Sequence, residues 1–417
     1  MAEIAPFQAF RFDFRSLGGD ISARVAPPYD ILDQADKDRL LDRSDRNIVA
    51  IDLPFAPAKK LGPAHLYEQA GEIFRNWTQD GTLVREEQPA LYIYHQVFEY
   101  GGREYIRRMF IARVRLQPFS EGVVVPHEET FGGPKEDRLA LMKTTRCNLS
   151  PVYGLFRDPD DVVGHAFAPR TERRPDAVAT LDGVQNLVWI ATDTGVIERV
   201  VSAFKDKKIY IADGHHRYNT ALNYRDWVVE QNGGQLPEGH PAGYVMLVLG
   251  SMDDPGSLIL PTHRVLARIG ELTLEALADG WSTGCEKASP ADADITLYHG
   301  ASKRQEHLRF TNREVLAKLE PDKSPAWREL DLAYLHRYLI DELLKPLVSG
   351  GEATIRYVKE EARARQTAEQ ENGIALICKP ATMAQLRDVG EAGDLMPQKS
   401  TYFYPKVATG LTINALT

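Results

Sequence analysis

Residues 208–217 read Lys-Ile-Tyr-Ile-Ala-Asp-Gly-His-His-Arg, and this stretch decides the fold class. Lys208 to Ala212 is a short apolar run of the kind that forms a buried strand. It passes directly into Asp213, Gly214, His215, His216 and Arg217. A helical pattern follows through Tyr218, Ala221, Leu222 and Trp227. A strand that turns straight into a helix exposes backbone N–H groups and the positive end of the helix dipole, so anions bind there readily. Gly214 permits close backbone approach. His215, His216 and Arg217 add donors, and an arginine fork matches phosphate geometry. Asp213 is a candidate cap, or a group that holds a metal or a substrate hydroxyl.

Working outward, Tyr244–Gly250 is an almost wholly apolar strand, which predicts burial on both faces. Residues 91–98 and 105–114 read as two strands around Gly101-Gly102, predicting a hairpin. Residues 64–80 carry Leu66, Ala70, Ile73, Phe74 and Trp77 at helical spacing, stopped by Asp80-Gly81. Residues 121–138 read as a polar loop after a short valine run, and residues 157–186 as loop-rich. Beyond Leu260-Pro-Thr-His-Arg264, helices are predicted near 271–280, 312–319, 329–347 and 382–392. Strands are predicted near 294–298, 353–358 and 373–378. The mixture is α/β or α+β. The expected domains are 1–260, carrying the phosphate-binding junction and an N-terminal extension, and 261–417, a C-terminal α/β domain completing the substrate site.

The chain has 417 residues, enough for two or three domains with a real core. Lys plus Arg is 50 and Asp plus Glu 59, a formal charge of −9. That balance argues against a protein that grips phosphate backbones, so no nucleic-acid partner is expected. Three scattered cysteines without a Cys-x-x-Cys pair predict neither a disulfide framework nor a zinc ribbon. The first residues lack a basic segment followed by an apolar one, and no run is long and apolar enough to span a bilayer. A cytoplasmic location is expected, with no membrane partner.

Two further segments offer chemistry. Pro126-His-Glu-Glu-Thr130 places Glu128 beside His127 as a candidate general base. It lacks the second histidine of a zinc-protease helix. Lys399-Ser-Thr401 offers a cation and two hydroxyls for a carboxylate or phosphate, with no Gly-rich P-loop before it. His215 and His216 are adjacent and cannot easily face one ion from a helix, so zinc hydrolysis is disfavoured.

The motifs Pro28-Tyr-Asp30, Pro126-His-Glu, Lys135-Glu-Asp-Arg138, Ala212-Asp-Gly-His-His-Arg217, Leu260-Pro-Thr-His-Arg264 and Met396-Pro-Gln-Lys-Ser-Thr-Tyr-Phe-Tyr-Pro405 occur in this order. Together they resemble a large prokaryotic family, the domain of unknown function numbered one thousand and fifteen. More distantly, the Asp-Gly-His-His-Arg junction is similar to that of the ParB/sulfiredoxin-like superfamily. The resemblance is strongest to the free-serine kinases, which carry a Pro-His-Glu segment upstream and a Ser-Pro-Lys-Thr-Thr loop downstream. It implies a ParB/sulfiredoxin-like core with an N-terminal elaboration and a C-terminal α/β domain.

Carried over, the resemblance implies that Glu128 activates a substrate hydroxyl and Asp213 orients it or assists proton transfer. Gly214, His215, His216 and Arg217 would bind nucleotide phosphates. His127, Thr130, Lys399, Ser400 and Thr401 would lie near the substrate. The implied cofactor is ATP or ADP with Mg2+. The expected function is a nucleotide-dependent kinase for a small hydroxylated metabolite, free L-serine first. The alternatives are a phosphatase of phosphoserine or a similar ester, and a ParB-like nucleotide-binding regulator.

Overall fold

The computed structural model describes residues 1–58, 60–128, 133–348 and 353–417, with side chains of residues 133–135 not described. The chain forms two compact units. One comprises Met1–Pro126, Thr130–Leu258 and Pro405–Thr417, and the other His127–Glu129 and Ile259–Tyr404.

The first unit is built on a nine-stranded mixed sheet. From one edge the order is Val124–Val125, Ile209–Asp213, Val152–Phe156, Tyr244–Ser251, Arg103–Arg115, Leu91–Tyr100, Val184–Ala191 and Ala177–Leu181. Ile4–Ala5 also pairs with Arg103–Arg115. The predicted hairpin forms, with Gly101 and Gly102 both at positive φ, as a two-residue turn of the right twist demands. Tyr244–Ser251 runs parallel to Val152–Phe156 and antiparallel to Arg103–Arg115, so neighbours on both sides take its hydrogen bonds. Its burial through Gly250 matches its apolar sequence.

One face of this sheet presents Ile93, Phe110, Leu249 and Phe156 to a core that also takes in Phe167, Val200, Tyr218 and Ala221. Those four come from, in turn, the helices Val162–Thr171, Thr194–Ala203 and His215–Gln231. Each fully buried large apolar side chain contributes about 1.5–3 kcal/mol of transfer free energy. The predicted helix over 64–80 forms as Ala64–Gln79, burying Ala70 and Trp77 together with Tyr67.

Two loop expectations are corrected. Residues 157–186 contain the helix Val162–Thr171 and the strand Ala177–Leu181, joined to Val184–Ala191 by Asp182-Gly183 at positive φ. The helix carries Pro169 and almost no amphipathic contrast, which hid its period. Within 121–138, a helix begins at Gly133 and runs to Thr145. Its second residue is proline, which a first helical turn tolerates.

The second unit carries a six-stranded antiparallel sheet, ordered Cys285–Lys287, Arg304–Phe310, Ile295–His299, Ile374–Cys378, His263–Ala267 and Thr354–Val358. The predicted C-terminal helix forms as Met383–Glu391, with Thr382 and Gln385 making a capping box. Among the described residues no helix is long and apolar enough to cross a membrane. The architecture is mixed α/β, as the sequence predicts.

Candidate functional site

In the first unit the strand Ile209–Asp213 delivers Asp213 to the start of the helix His215–Gln231. Gly214 joins them at φ +90°, a conformation that a side chain rarely adopts. A Cβ there would sit 2.9 Å from Nε of Arg217. The first helical bond runs from Tyr218 N–H to the Gly214 carbonyl, so the amides of His215, His216 and Arg217 lie outside the helical ladder. His215 is buried and His216 half-buried.

Asp213 is committed electrostatically. Lys406 Nζ donates to its Oδ2 at 3.0 Å, Arg217 Nη2 lies at 3.5 Å, and the Gly214 N–H donates to Oδ1 at 3.0 Å. Burial alone would raise its pKa. Lys406 and then Arg217 outweigh burial and hold the carboxyl well below the usual range. Burial pulls the Lys406 ammonium down, and Asp213 and Asp30 more than restore it. Asp213 is thus a fixed anion that orients Lys406, not a group suited to accept a proton.

Arg217 is 5% exposed. It donates through Nη1 to the Pro151 carbonyl, and its Nη2 stands 3.9 Å from Asp30. Nε and Nη2 make no hydrogen bond to a described residue. Beneath it lies Tyr29, whose ring faces Arg138 at 4.0 Å and Arg217 at 5.9 Å. Arg138 in turn donates to Asp137 and to the Asp52 carbonyl, and Tyr67 donates to Asp137. Tyr29 of Pro-Tyr-Asp and Asp137 and Arg138 of Lys-Glu-Asp-Arg therefore form a buried cluster beside Arg217.

In the second unit, His127 and Glu128 interlock with the loop after Asp394. The Met396 N–H donates to the His127 carbonyl at 2.8 Å. His127, 1% exposed, places Nε2 2.7 Å from Oγ1 of Thr401. The Lys399 N–H donates to Oε1 of Glu128 at 3.0 Å, while Oε2 of Glu128 accepts no hydrogen bond from a described residue. Lys399 adopts φ +56°, a strained conformation for a non-glycine residue, and its exposed ammonium has no partner among the described residues.

The structure therefore brings Glu128, His127, Lys399 and Thr401 together, and separates their jobs. Ser400 is buried and donates to the Pro397 carbonyl, closing the turn. Thr401 is engaged with His127. Thr130 lies outside the described residues.

Sequence reasoning missed the residue that carries this loop. Arg264 is fully buried and donates through Nη2 to the Gln398 and Lys399 carbonyls at 3.0 and 3.1 Å. Its Nε donates to His336 Nε2 at 2.9 Å. His336 must therefore be neutral at Nε2, in keeping with burial and the Arg264 charge, which lower its pKa to about 4. The available signal was Thr-His-Arg at 262–264 within an apolar strand, where a charged residue demands partners.

The three cysteines are buried, and burial raises their thiols, that of Cys285 to about 12. None is suited to nucleophilic work. Among the described residues no group of three or more His, Cys, Asp or Glu is arranged for a metal ion.

A family model described as "Protein of unknown function (DUF1015)" matches residues 4–333. No curated protein matches the chain. Among solved structures, a free serine kinase in complex with AMP is 13% identical at a TM-score of 0.32, over 70% of this chain and 89% of that one. SbnI with C-terminal truncation from Staphylococcus aureus is 11% identical at 0.36, over 72% and 87%. A conserved hypothetical protein from Pyrococcus furiosus is 12% identical at 0.33, over 70% and 93%. Likenesses this distant carry no residue or role over to this chain.

Proposed function

The chain belongs to the DUF1015 family, whose description assigns no activity, and from its own residues we propose that it is a nucleotide-dependent kinase of a small hydroxylated metabolite, free L-serine being the first candidate. The observation that carries the reading is Glu128. One carboxylate oxygen is fixed by the Lys399 amide, and the other, which accepts no hydrogen bond from a described residue, would take the proton.

In this reading the substrate hydroxyl oxygen attacks the terminal phosphorus of the nucleotide. Its proton passes to Glu128 Oε2 as the new P–O bond forms. The bond to the leaving phosphate oxygen breaks, and the shortened nucleotide departs. Such transfer is governed by positioning and charge stabilisation. The amides and imidazoles of His215 and His216 bind phosphate, with Lys406 and Arg217 supplying positive charge. Asp213 keeps Lys406 in place. Lys399, exposed and strained, meets a carboxylate or phosphate of the substrate.

The test incubates the protein with Mg2+, L-serine and either ATP or ADP, and follows O-phosphoserine by 31P NMR. Phosphoserine formation supports the reading. Absence of phosphoserine together with absence of nucleotide binding overturns it. Phosphate release from phosphoserine without any nucleotide replaces it with a phosphatase.

A further inference from the structure

A separate cavity of about 290 Å³ lies in the first unit, between the sheet and the helix Val162–Thr171. It is at the other end of the strands from Asp213. Asp213 pairs with Tyr153, whereas the cavity is lined by Phe156 and Ser251, which pair with each other at the far end. Its interior is aromatic. Phe110 packs on Phe167 at 5.4 Å and on Phe156 at 6.2 Å.

Strand alternation explains why a polar group reaches it. Leu91 and Ile93 point into the core, and His95 continues the same face into the cavity instead of an apolar residue. His95 packs edge-on against Trp189 at 4.9 Å, and its ring nitrogens have no hydrogen-bond partner among the described residues. Burial and the nearby Arg108 charge lower its pKa to about 4, so at neutral pH one ring nitrogen is an acceptor.

The rim selects the charge of a ligand. Arg108 and the start of the helix would attract an anion, but both are occupied. Arg108 Nε donates to buried Asp254 at 3.0 Å. Asp158 accepts the Val163 N–H at 2.9 Å and faces Lys207 at 3.2 Å. Asp161 is left over. Its carboxylate accepts no hydrogen bond from a described residue, and its nearest cation is Arg108 Nη1 at 3.6 Å. It is held at the rim in a left-handed conformation, φ +50°. Aromatic walls beneath a carboxylate held only by a loose 3.6 Å ion pair suit an organic cation.

We propose that this cavity binds a small amine with an apolar or aromatic body, the ring seated among Phe110, Phe156 and Phe167 and the ammonium bonded to Asp161 and His95. The site is independent of the kinase reading, since no lining residue belongs to that machinery.

The test titrates the full-length protein with 2-phenylethylamine and, separately, with phenylacetate, which has a similar body and the opposite charge. Saturable binding of the amine, at least about tenfold tighter than the acid, is expected. Asp161→Asn, which suits a left-handed backbone and preserves folding, weakens amine binding about tenfold or more. Ala168→Phe fills the cavity and abolishes binding while the circular dichroism spectrum stays unchanged. The proposal is overturned if neither compound binds at millimolar concentration, if the acid binds as well as the amine, or if folded Ala168→Phe protein binds the amine normally.

Discussion

The backbone N–H of Lys399 meets Oε1 of Glu128 at 3.0 Å although 271 residues separate them in sequence. The two motifs are thus halves of one device, a carboxylate and the strained loop that aims it. Arg264 holds that loop from behind through two carbonyls.

Glu128→Gln should lower turnover by at least about 100-fold, the usual worth of a positioned base. The glutamine carbonyl still accepts the Lys399 amide, so the loop and ATP affinity should stay within about twofold. Isothermal titration and a phosphoserine assay separate the two effects. Full activity in this variant removes Glu128 from the base role.

Lys406→Met leaves Asp213 near Arg217 but strips its closest cation. Breaking this half-buried pair from one side costs about 1–3 kcal/mol. Urea denaturation should show that loss, and Asp213→Asn combined with Lys406→Met should recover part of it. The Asp213 contribution belongs to its ionised form, because its folded pKa lies below the unfolded value. It is present above pH ~4 and lost as acid protonates the carboxylate. Equal losses in the single and double variants would show that the pair is not coupled.

His336 sets a second acid window. It is neutral in the fold down to about pH 4, whereas its ordinary value is 6.5. Between those limits the unfolded chain binds the extra proton, so stability falls as pH drops from 6.5 toward 4. The full effect is up to about 3 kcal/mol at about 1.4 per unit. His336→Gln, whose carbonyl accepts the Arg264 bond, should flatten that difference in pH-dependent unfolding. A variant with the same slope as the parent contradicts the assignment.

Arg217→Lys keeps a charge but not the fork that reaches Pro151 and Asp30. Both melting temperature and ATP affinity should fall, the affinity about tenfold. Unchanged affinity with a lower melting temperature would assign Arg217 to the scaffold alone.

Much of this was readable where the sequence carries a period or a turn. The strand over 208–212, the hairpin at Gly101-Gly102 and the helix after Gly214 follow from local rules. The helix Val162–Thr171 did not show because proline and small residues blur its faces. The Lys399–Glu128 contact could not be read locally, since only tertiary structure brings such distant residues together. Pro-Tyr-Asp and Lys-Glu-Asp-Arg were visible as motifs, yet their physical meaning lay in burial. Tyr29, Asp137 and Arg138 form a buried cluster beside Arg217, and a lone string of letters does not distinguish such a cluster from a site.

Residues Pro405–Thr417 rejoin the first unit after the chain has traversed the second. There Arg107 donates to the Pro405 carbonyl, Gln96 to the Lys406 carbonyl, and the Ala408 amide to Tyr94. Asn414 pairs with Asn148. A ribosome makes all of these partners hundreds of residues before it makes the segment that satisfies them. The consequence is one of timing. Until residues 405 and 406 are made, buried Arg107 lacks the Pro405 carbonyl and Asp213 lacks the Lys406 ammonium. The ion pair at the strand–helix junction is thereby completed by a segment translated after the whole second unit.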